Sequence, residues 1–207
     1  MSEVLLKNQG GSFLVSDTDL QTFYVAELIS EEAKMMKEAG TSFLVNEIEN
    51  RIDFMETKEA IQETPALIKQ CGELGFLGLE VSEEYGGIDL TFIDVLHFCV
   101  AISKGYSFTG ALGVQTSIGI APVFLYGSDY LKEKYLPKMV TGELLSAFAL
   151  TEPNAGSDAN SGKTKAIIDE NGDYVISGQK HGFLMRVLLI CLLFLQKLKT
   201  IKIYLFL

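Results

Sequence analysis

One stretch of the chain gathers residues suited to holding a ligand. Residues 148–166 read FALTEPNAGSDANSGKTKA. A short apolar run ends at Leu150, and Thr151, Ser157 and Asp158 then set hydroxyls and a carboxylate just beyond it. Between them, Asn154, Ala155 and Gly156 are small or turn-prone, so backbone N–H groups can approach a ligand closely. Polar groups at a strand end beside such a turn suit an anionic or polar ring system. The same residues also suit an ordinary turn that ends a strand, and spacing alone leaves both readings open. Elsewhere the chemistry is sparse. Cys71, Cys99 and Cys191 lie far apart with no metal-ligand spacing. Cys71 and Cys99 fall in apolar helical contexts and are expected to be buried small hydrophobes. His97 and His181 are too few for a metal site, and His97 is expected to be structural.

The elements that must position residues 148–158 are mostly helical. Residues 1–29 read as a loose lead-in. Ser30 is placed to cap a helix whose first turn carries Glu31 and Glu32, with Ala33, Met36, Phe43, Leu44 and Ile48 apolar along it. Thr64-Pro65 reads as a cap followed by proline at the first helical position, with Leu67, Ile68 and Cys71 inward and Gly75 ending the helix. VSEEYGGIDL is a polar turn. Phe92, Val95, Leu96, Cys99 and Ile102 recur at helical spacing, and Gly105 stops that helix. The apolar, small-residue stretch SFTGALGVQTSIGIAPVFLYG suits a packed helix pair broken near Pro122. Ser128 caps DYLKEKYLPKMVTG. After Gly142 the pattern turns to strands: LLSAFAL, then TKAIID and DYVISG joined by Glu170-Asn171-Gly172, a hairpin turn signal. The fold class is α+β by chain. A mostly α-helical domain over 30–142 is followed, over 143–180, by the beginning of a β-barrel domain.

Composition agrees with a soluble globular protein: 48% hydrophobic and 21% charged residues are enough to bury a core. The formal net charge of −10 excludes the basic stripe of a nucleic-acid binder, yet leaves room for a phosphorylated ligand, since local geometry decides that. An odd cysteine count, and a start (MSEVLLKNQGGSF) without a charged-then-apolar leader, point to a reducing compartment, and a cytoplasmic location is expected.

LTEPNAGSDA closely resembles the signature of the acyl-CoA dehydrogenase family. EEYGG at 83–87, GSDYLKEKYLPKMVTGE at 127–143 and GDYVISGQK at 172–180 are similar to family segments in the same order, across roughly residues 30–180. The resemblance implies a helical N-terminal domain, a central β-barrel domain and a C-terminal four-helix domain, with FAD between the last two. It implies removal of a proton from Cα of an acyl-CoA thioester and passage of a hydride from Cβ to flavin N5, with the base a glutamate of the C-terminal domain. Carried over by position, Phe148, Leu150 and Thr151 would face the isoalloxazine ring. The Thr151 hydroxyl would bond near N5, and Ser157 would sit where the flavin pyrophosphate meets the CoA arm. Asp158 would cap or brace the loop, and Glu152 and Pro153 would shape the turn without a catalytic role. Partners implied are an acyl-CoA substrate, an electron-transferring flavoprotein as acceptor, and further copies of the chain in a homo-oligomer.

The pattern stops at Lys180. Residues 181–207 have no Asp or Glu and carry Arg186, Lys197, Lys199 and Lys202. The family continues with Trp-Ile-Thr/Ser-Asn, whereas this chain continues HGFLMRV. Back-translation with one base restored allows Trp across His181-Gly182, Ile across Gly182-Phe183, Ser across Phe183-Leu184 and Asn across Leu184-Met185. Continued, it spells WISNAGFADLFIVFAKIEDDKNI. Residues 181–207 are therefore expected to be out-of-frame translation. The strands of the partial barrel are expected to stand unpaired, the general base to be absent, and the chain to be inactive. A second reading is a helical interaction module with a membrane-associating tail. Against it, the apolar run Val187–Leu195 is far shorter than the roughly 20 residues of a spanning helix, so no designed membrane span is expected.

Overall fold

Ser30 opens the helical part as its sequence requires. Its backbone is extended and its hydroxyl accepts from the Ala33 N–H at 3.1 Å, starting helix α1 (Glu31–Phe43). In this computed structural model, residues 29–171, 174–181, 191–194 and 204–206 are described. The expected lead-in over 1–29 lies outside them apart from Ile29. A wider π turn (Leu44–Ile48) and short helical turns carry the chain through α2 (Ile52–Met55) to α3 (Thr64–Glu73). There the expected cap differs: the Thr64 hydroxyl donates backwards to the Ala60 carbonyl at 3.2 Å, and Glu63 occupies the cap position. A helical turn at Glu59–Gln62 runs into α3, so the hydroxyl finds a carbonyl before it meets a free N–H. Gly75, at φ +81°, ends α3 where the sequence places a stop.

α4 (Phe92–Ile102) begins at Thr91, whose side chain accepts from the Asp94 N–H. Asp94 in turn accepts from the Thr91 hydroxyl at 2.8 Å and from the Ser30 N–H at 3.4 Å, so it ties the start of α4 to the start of α1. The apolar spacing read for α4 is real, but its faces divide differently. Phe98 and Ile102 are buried, Val95 is half-buried, and Phe92, Leu96 and Cys99 are exposed. Cys71 is buried as expected, and Cys99 is not. The reason is that α1 packs along the Asp94, Phe98 and Ile102 side of α4.

α5 (Tyr106–Gly113), a π segment (Val114–Ile120) and α6 (Ala121–Tyr126) form one continuous helical path rather than a pair broken at Pro122. Proline removes an N–H donor and crowds the preceding turn. The widened π turn lies directly before Pro122, which sits in the first turn of α6, and accommodates both defects. The break falls instead at Tyr106, which takes φ +46°. Phe92–Tyr126 is, by length and composition, apolar enough to cross a membrane. Its Phe98, Ile102, Phe108, Leu112, Ile120 and Val123 are core residues of this domain. Ser128 caps α7 (Asp129–Val140) as read.

The core is aromatic at its centre. Phe76 meets Phe43 edge-on at 6.0 Å between centroids and Phe98 at 4.8 Å. Leu44, Ile48, Ile68, Leu77, Leu136 and Met139 close around it.

Beyond Gly142 the chain becomes β. β1 (Ser146–Ala149) lies against the π segment. β2 (Lys165–Ile168) and β3 (Tyr174–Ser177) form the expected antiparallel hairpin, with Ile168 opposite Tyr174, and the Asn171 N–H donates to the Asp169 carboxylate at 2.9 Å in its turn. The expectation of unpaired strands is corrected. β4 (Cys191–Phe194) runs parallel to β1, with Ser146 opposite Cys191, and β5 (Tyr204–Phe206) pairs antiparallel with β4. A strand set between two neighbours asks for a run of apolar residues more than for an alternating pattern. The tail supplies such a run, whatever frame wrote it. The remainder of 182–207, including the positions aligned with the expected Trp-Ile-Ser-Asn, lies outside the described residues.

Candidate functional site

β1 is the element on which the site is built, and Gln115 fixes it. The π segment turns this fully buried amide inwards. Its Nε2 donates to the carbonyls of Met139 and Leu144, each at 3.0 Å. Its Oε1 accepts from the Ser146 N–H at 2.8 Å and the Ser146 hydroxyl at 3.0 Å. One side chain thus joins α7, the turn after it and the first residue of β1. Gly119 completes the fit, because a Cβ there would collide with Ser146. This residue was missed in the sequence, although it is the one amide side chain in the apolar run 106–126.

Phe148 sits in β1, half-buried and packed against the helical core. Leu150 is half-buried just past the strand, and Thr151 is exposed. These three of the four expected cofactor-binding residues follow one another along a single strand end. The fourth, Ser157, is exposed on the loop beyond, and no bond joins it directly to Phe148, Leu150 or Thr151. Of the turn's N–H groups, that of Ala155 is used internally, donating to the Glu152 carbonyl at 3.1 Å. The backbone at Gly156 is open, with nothing near the position a side chain would take. Asp158 braces the loop through its carbonyl, which accepts from the Ser161 N–H at 3.1 Å and the Ser161 hydroxyl at 2.8 Å, and its side chain caps nothing.

The loop's organiser is Glu152. Its carboxylate accepts from the N–H groups of Lys163 at 2.5 Å and Thr164 at 3.1 Å and pairs with the Lys180 ammonium at 2.9 Å. Both side chains of the pair are 7% exposed. The same ammonium donates to the Leu150 carbonyl at 3.0 Å, and the His181 N–H donates to the Thr151 carbonyl at 2.9 Å. Three consecutive residues, 150, 151 and 152, are therefore held by residues 180 and 181. The carboxyl of Glu152 is drawn down to about 2 from 4.5, first by the Thr164 hydroxyl, then by the Lys163 N–H and by Lys180. That hydroxyl is buried and completes no hydrogen bond of ordinary geometry. Gly178 and Gly162 allow the closure: a Cβ on the first would strike Thr164, and on the second would crowd Glu152.

The family model of the acyl-CoA dehydrogenase N-terminal domain matches residues 30–143. The chain belongs to the acyl-CoA dehydrogenase family. It is 37% identical over 173 residues to a probable acyl-CoA dehydrogenase of Bacillus subtilis (strain 168), covering 83% of this chain and 29% of that protein. It is 38% identical over 157 residues to an acyl-CoA dehydrogenase of the same organism, covering 73% and 40%. A crystal structure of an acyl-CoA dehydrogenase complexed with FAD from Bacillus anthracis is similar at a TM-score of 0.87 and 34% identity, covering 96% of this chain and 34% of that one. The chain thus spans between 29% and 40% of the length of these relatives.

In this acyl-CoA dehydrogenase family chain, the residues of the sequence signature lie at the strand end and loop that Glu152 and Lys180 hold. Glu152, read as a turn residue, joins the strand end to the segments before β2 and after β3. The signal available for it was a lone acid immediately after an apolar strand, with Lys180 closing the last segment of family resemblance. An apolar cavity of about 220 Å³ opens elsewhere, between α4 and the path from α5 to α6, lined by Leu79, Phe92, Leu96, Cys99, Leu112 and Phe124.

Proposed function

We propose that this chain carries the cofactor-facing loop of a flavin-dependent acyl-CoA dehydrogenase, with FAD held against the end of β1. The observation that carries the reading is the strand end itself. Phe148 and Leu150 offer partly buried apolar surface, Thr151 and Ser157 offer exposed hydroxyls, and Gly156 leaves the backbone open. That donor set fits a flat ring system with a phosphate-bearing arm. When bound, FAD supplies the acceptor for a hydride from an acyl-CoA thioester. On this reading the chain's residues bind and orient: the Thr151 hydroxyl donates to the ring near N5, and Ser157 receives the junction of the pyrophosphate and the CoA arm.

None of these residues moves the substrate's proton. Glu152 is the carboxylate anchored at this strand end, and at about 2 it is far too weak a base to take a proton from carbon. Hence no catalytic residue is assigned to the chain, and it is proposed to be inactive alone. An electron-transferring flavoprotein as acceptor, a homo-oligomeric assembly and a cytoplasmic location belong to the same proposal. So does the origin of residues 181–207 in a shifted reading frame. Resequencing the gene decides that last point, and an intact frame removes it.

The test is the absorption spectrum of the purified chain after incubation with FAD and removal of free cofactor. A retained flavin band, shifted from that of free FAD and lost in Thr151→Val with Ser157→Ala, is expected. A chain that retains no flavin under any loading condition overturns the reading.

A further inference from the structure

We infer that Glu152 and Lys180 are positioning residues, a buried latch that sets the Thr151 end of the cofactor loop from the far end of the β2–β3 hairpin. The inference rests on the cofactor reading above. It goes beyond that reading in naming which residues hold the site's geometry.

The argument starts from connectivity. Glu152 lies directly after the strand end, Lys163 and Thr164 lie directly before β2, and Lys180 and His181 follow β3. Three stretches, separated by 11 to 28 residues along the chain, meet at one carboxylate and one ammonium. Lys180 also holds the Leu150 carbonyl, and the His181 N–H holds the Thr151 carbonyl. With the residues on either side of Thr151 held by one ammonium and its own carbonyl fixed from the same segment, its peptide has little freedom to rotate. Its side chain, by contrast, remains exposed. The latch therefore fixes the backbone that presents the Thr151 hydroxyl and does not touch the ligand itself.

The pairing is demanding. A carboxylate and an ammonium at 7% exposure each are costly to remove from water, and the cost is offset only when the remaining lone pairs and protons are matched. Here much of the cost is met: two backbone N–H groups serve the carboxylate and the Leu150 carbonyl serves the ammonium beside the pair itself. A turn that served only to reverse the chain would not need two buried charges. Such a pair is suited to setting one geometry rather than to adding bulk stability.

The experiment uses the full chain and the variants Glu152→Gln, Lys180→Gln and the two combined. Hydrogen exchange at the Lys163, Thr164 and His181 amides, FAD affinity from quenching of flavin fluorescence, and the position of the bound flavin band are measured together. Glu152→Gln is expected to speed exchange at all three amides at least tenfold, to weaken FAD at least tenfold and to move the bound band towards that of free FAD. Exchange in α1 and α3 should be unchanged. Lys180→Gln is expected to affect His181 most, and the combined variant to lose less than the two single losses added. Exchange at the three amides unchanged in Glu152→Gln, or FAD affinity within twofold of wild type in both single variants, overturns the inference. A wild-type chain that retains no FAD removes the cofactor reading, and the latch then stands or falls on exchange alone. If Glu152→Gln does not fold, the wild-type exchange decides. Opening of the three amides as one cooperative unit supports the latch, and independent opening overturns it.

Discussion

Gln115, fully buried, satisfies four polar groups with one amide. Replacing it with leucine keeps the volume and removes the bonds to the Leu144 carbonyl and to the Ser146 N–H and hydroxyl, while the Met139 carbonyl keeps the Gly142 N–H. A loss of about 3 kcal/mol is expected from these unmatched buried groups, read by urea denaturation. Because the bonds reach Ser146, the same variant should loosen β1 and lower flavin retention. Glu152 makes a prediction of a different kind. Its carboxyl is at about 2 in the fold and near 4.5 when unfolded, so the unfolded chain takes up the proton first as pH falls. The stabilising contribution is complete above about 4.5 and is lost as pH drops towards about 2. Thermal melts between these limits should fall steeply with acid in the wild-type chain and less steeply in Glu152→Gln. Equal slopes would show that the carboxylate is not held as described. Cys71 is pushed up to about 12 by burial, whereas Cys99 is exposed. In a Cys191→Ser background, a thiol reagent should modify Cys99 in the native protein and Cys71 only on unfolding.

The helices owe their starts to local chemistry and their faces to their neighbours. Ser30, Thr91 and Ser128 each cap a helix with a side-chain oxygen. Asp94 does more, because it bonds both the Thr91 hydroxyl and the Ser30 N–H. Asp94→Ala should therefore destabilise two helix starts at once, by about 2 kcal/mol. A Ser128→Ala change, isolated at α7, should cost about 1 kcal/mol. Denaturant midpoints compare the two, and equal effects would remove the link between α1 and α4. Among the strands, β2 and β3 are joined by a turn whose residues specify it. β1 and β4 form a parallel ladder between apolar runs distant in sequence, with no turn to set it.

At the scale of the molecule, several large apolar side chains of the helical part are exposed among the described residues. Phe92, Leu96, Val100, Leu125 and Tyr126 are exposed, and the cavity of about 220 Å³ lies beside them. An environment-sensitive dye such as ANS should bind the native chain there. Leu96→Glu should reduce its fluorescence severalfold without changing the far-UV circular dichroism. A dye signal insensitive to that change would place the apolar surface elsewhere.

The sequence by itself determined the capped starts of α1 at Ser30 and α7 at Ser128, that the chain turns to β structure after Gly142, the hairpin turn at Asn171, and the family signature over 148–158. These are local facts, fixed by capping oxygens, glycine stops and spacing, and they can be read without knowing what lies across the core. Only the tertiary structure decided which face of α4 is buried, because that depends on where α1 lies. It also decided that Pro122 interrupts nothing, since a π turn absorbs it, and that β1 gains a partner from the tail. Above all it decided the parts of Gln115 and Glu152. A polar side chain among apolar neighbours announces a need for partners. The partners here are 24 to 31 residues away for Gln115 and 11 to 28 residues away for Glu152, and only folding brings them within bonding distance.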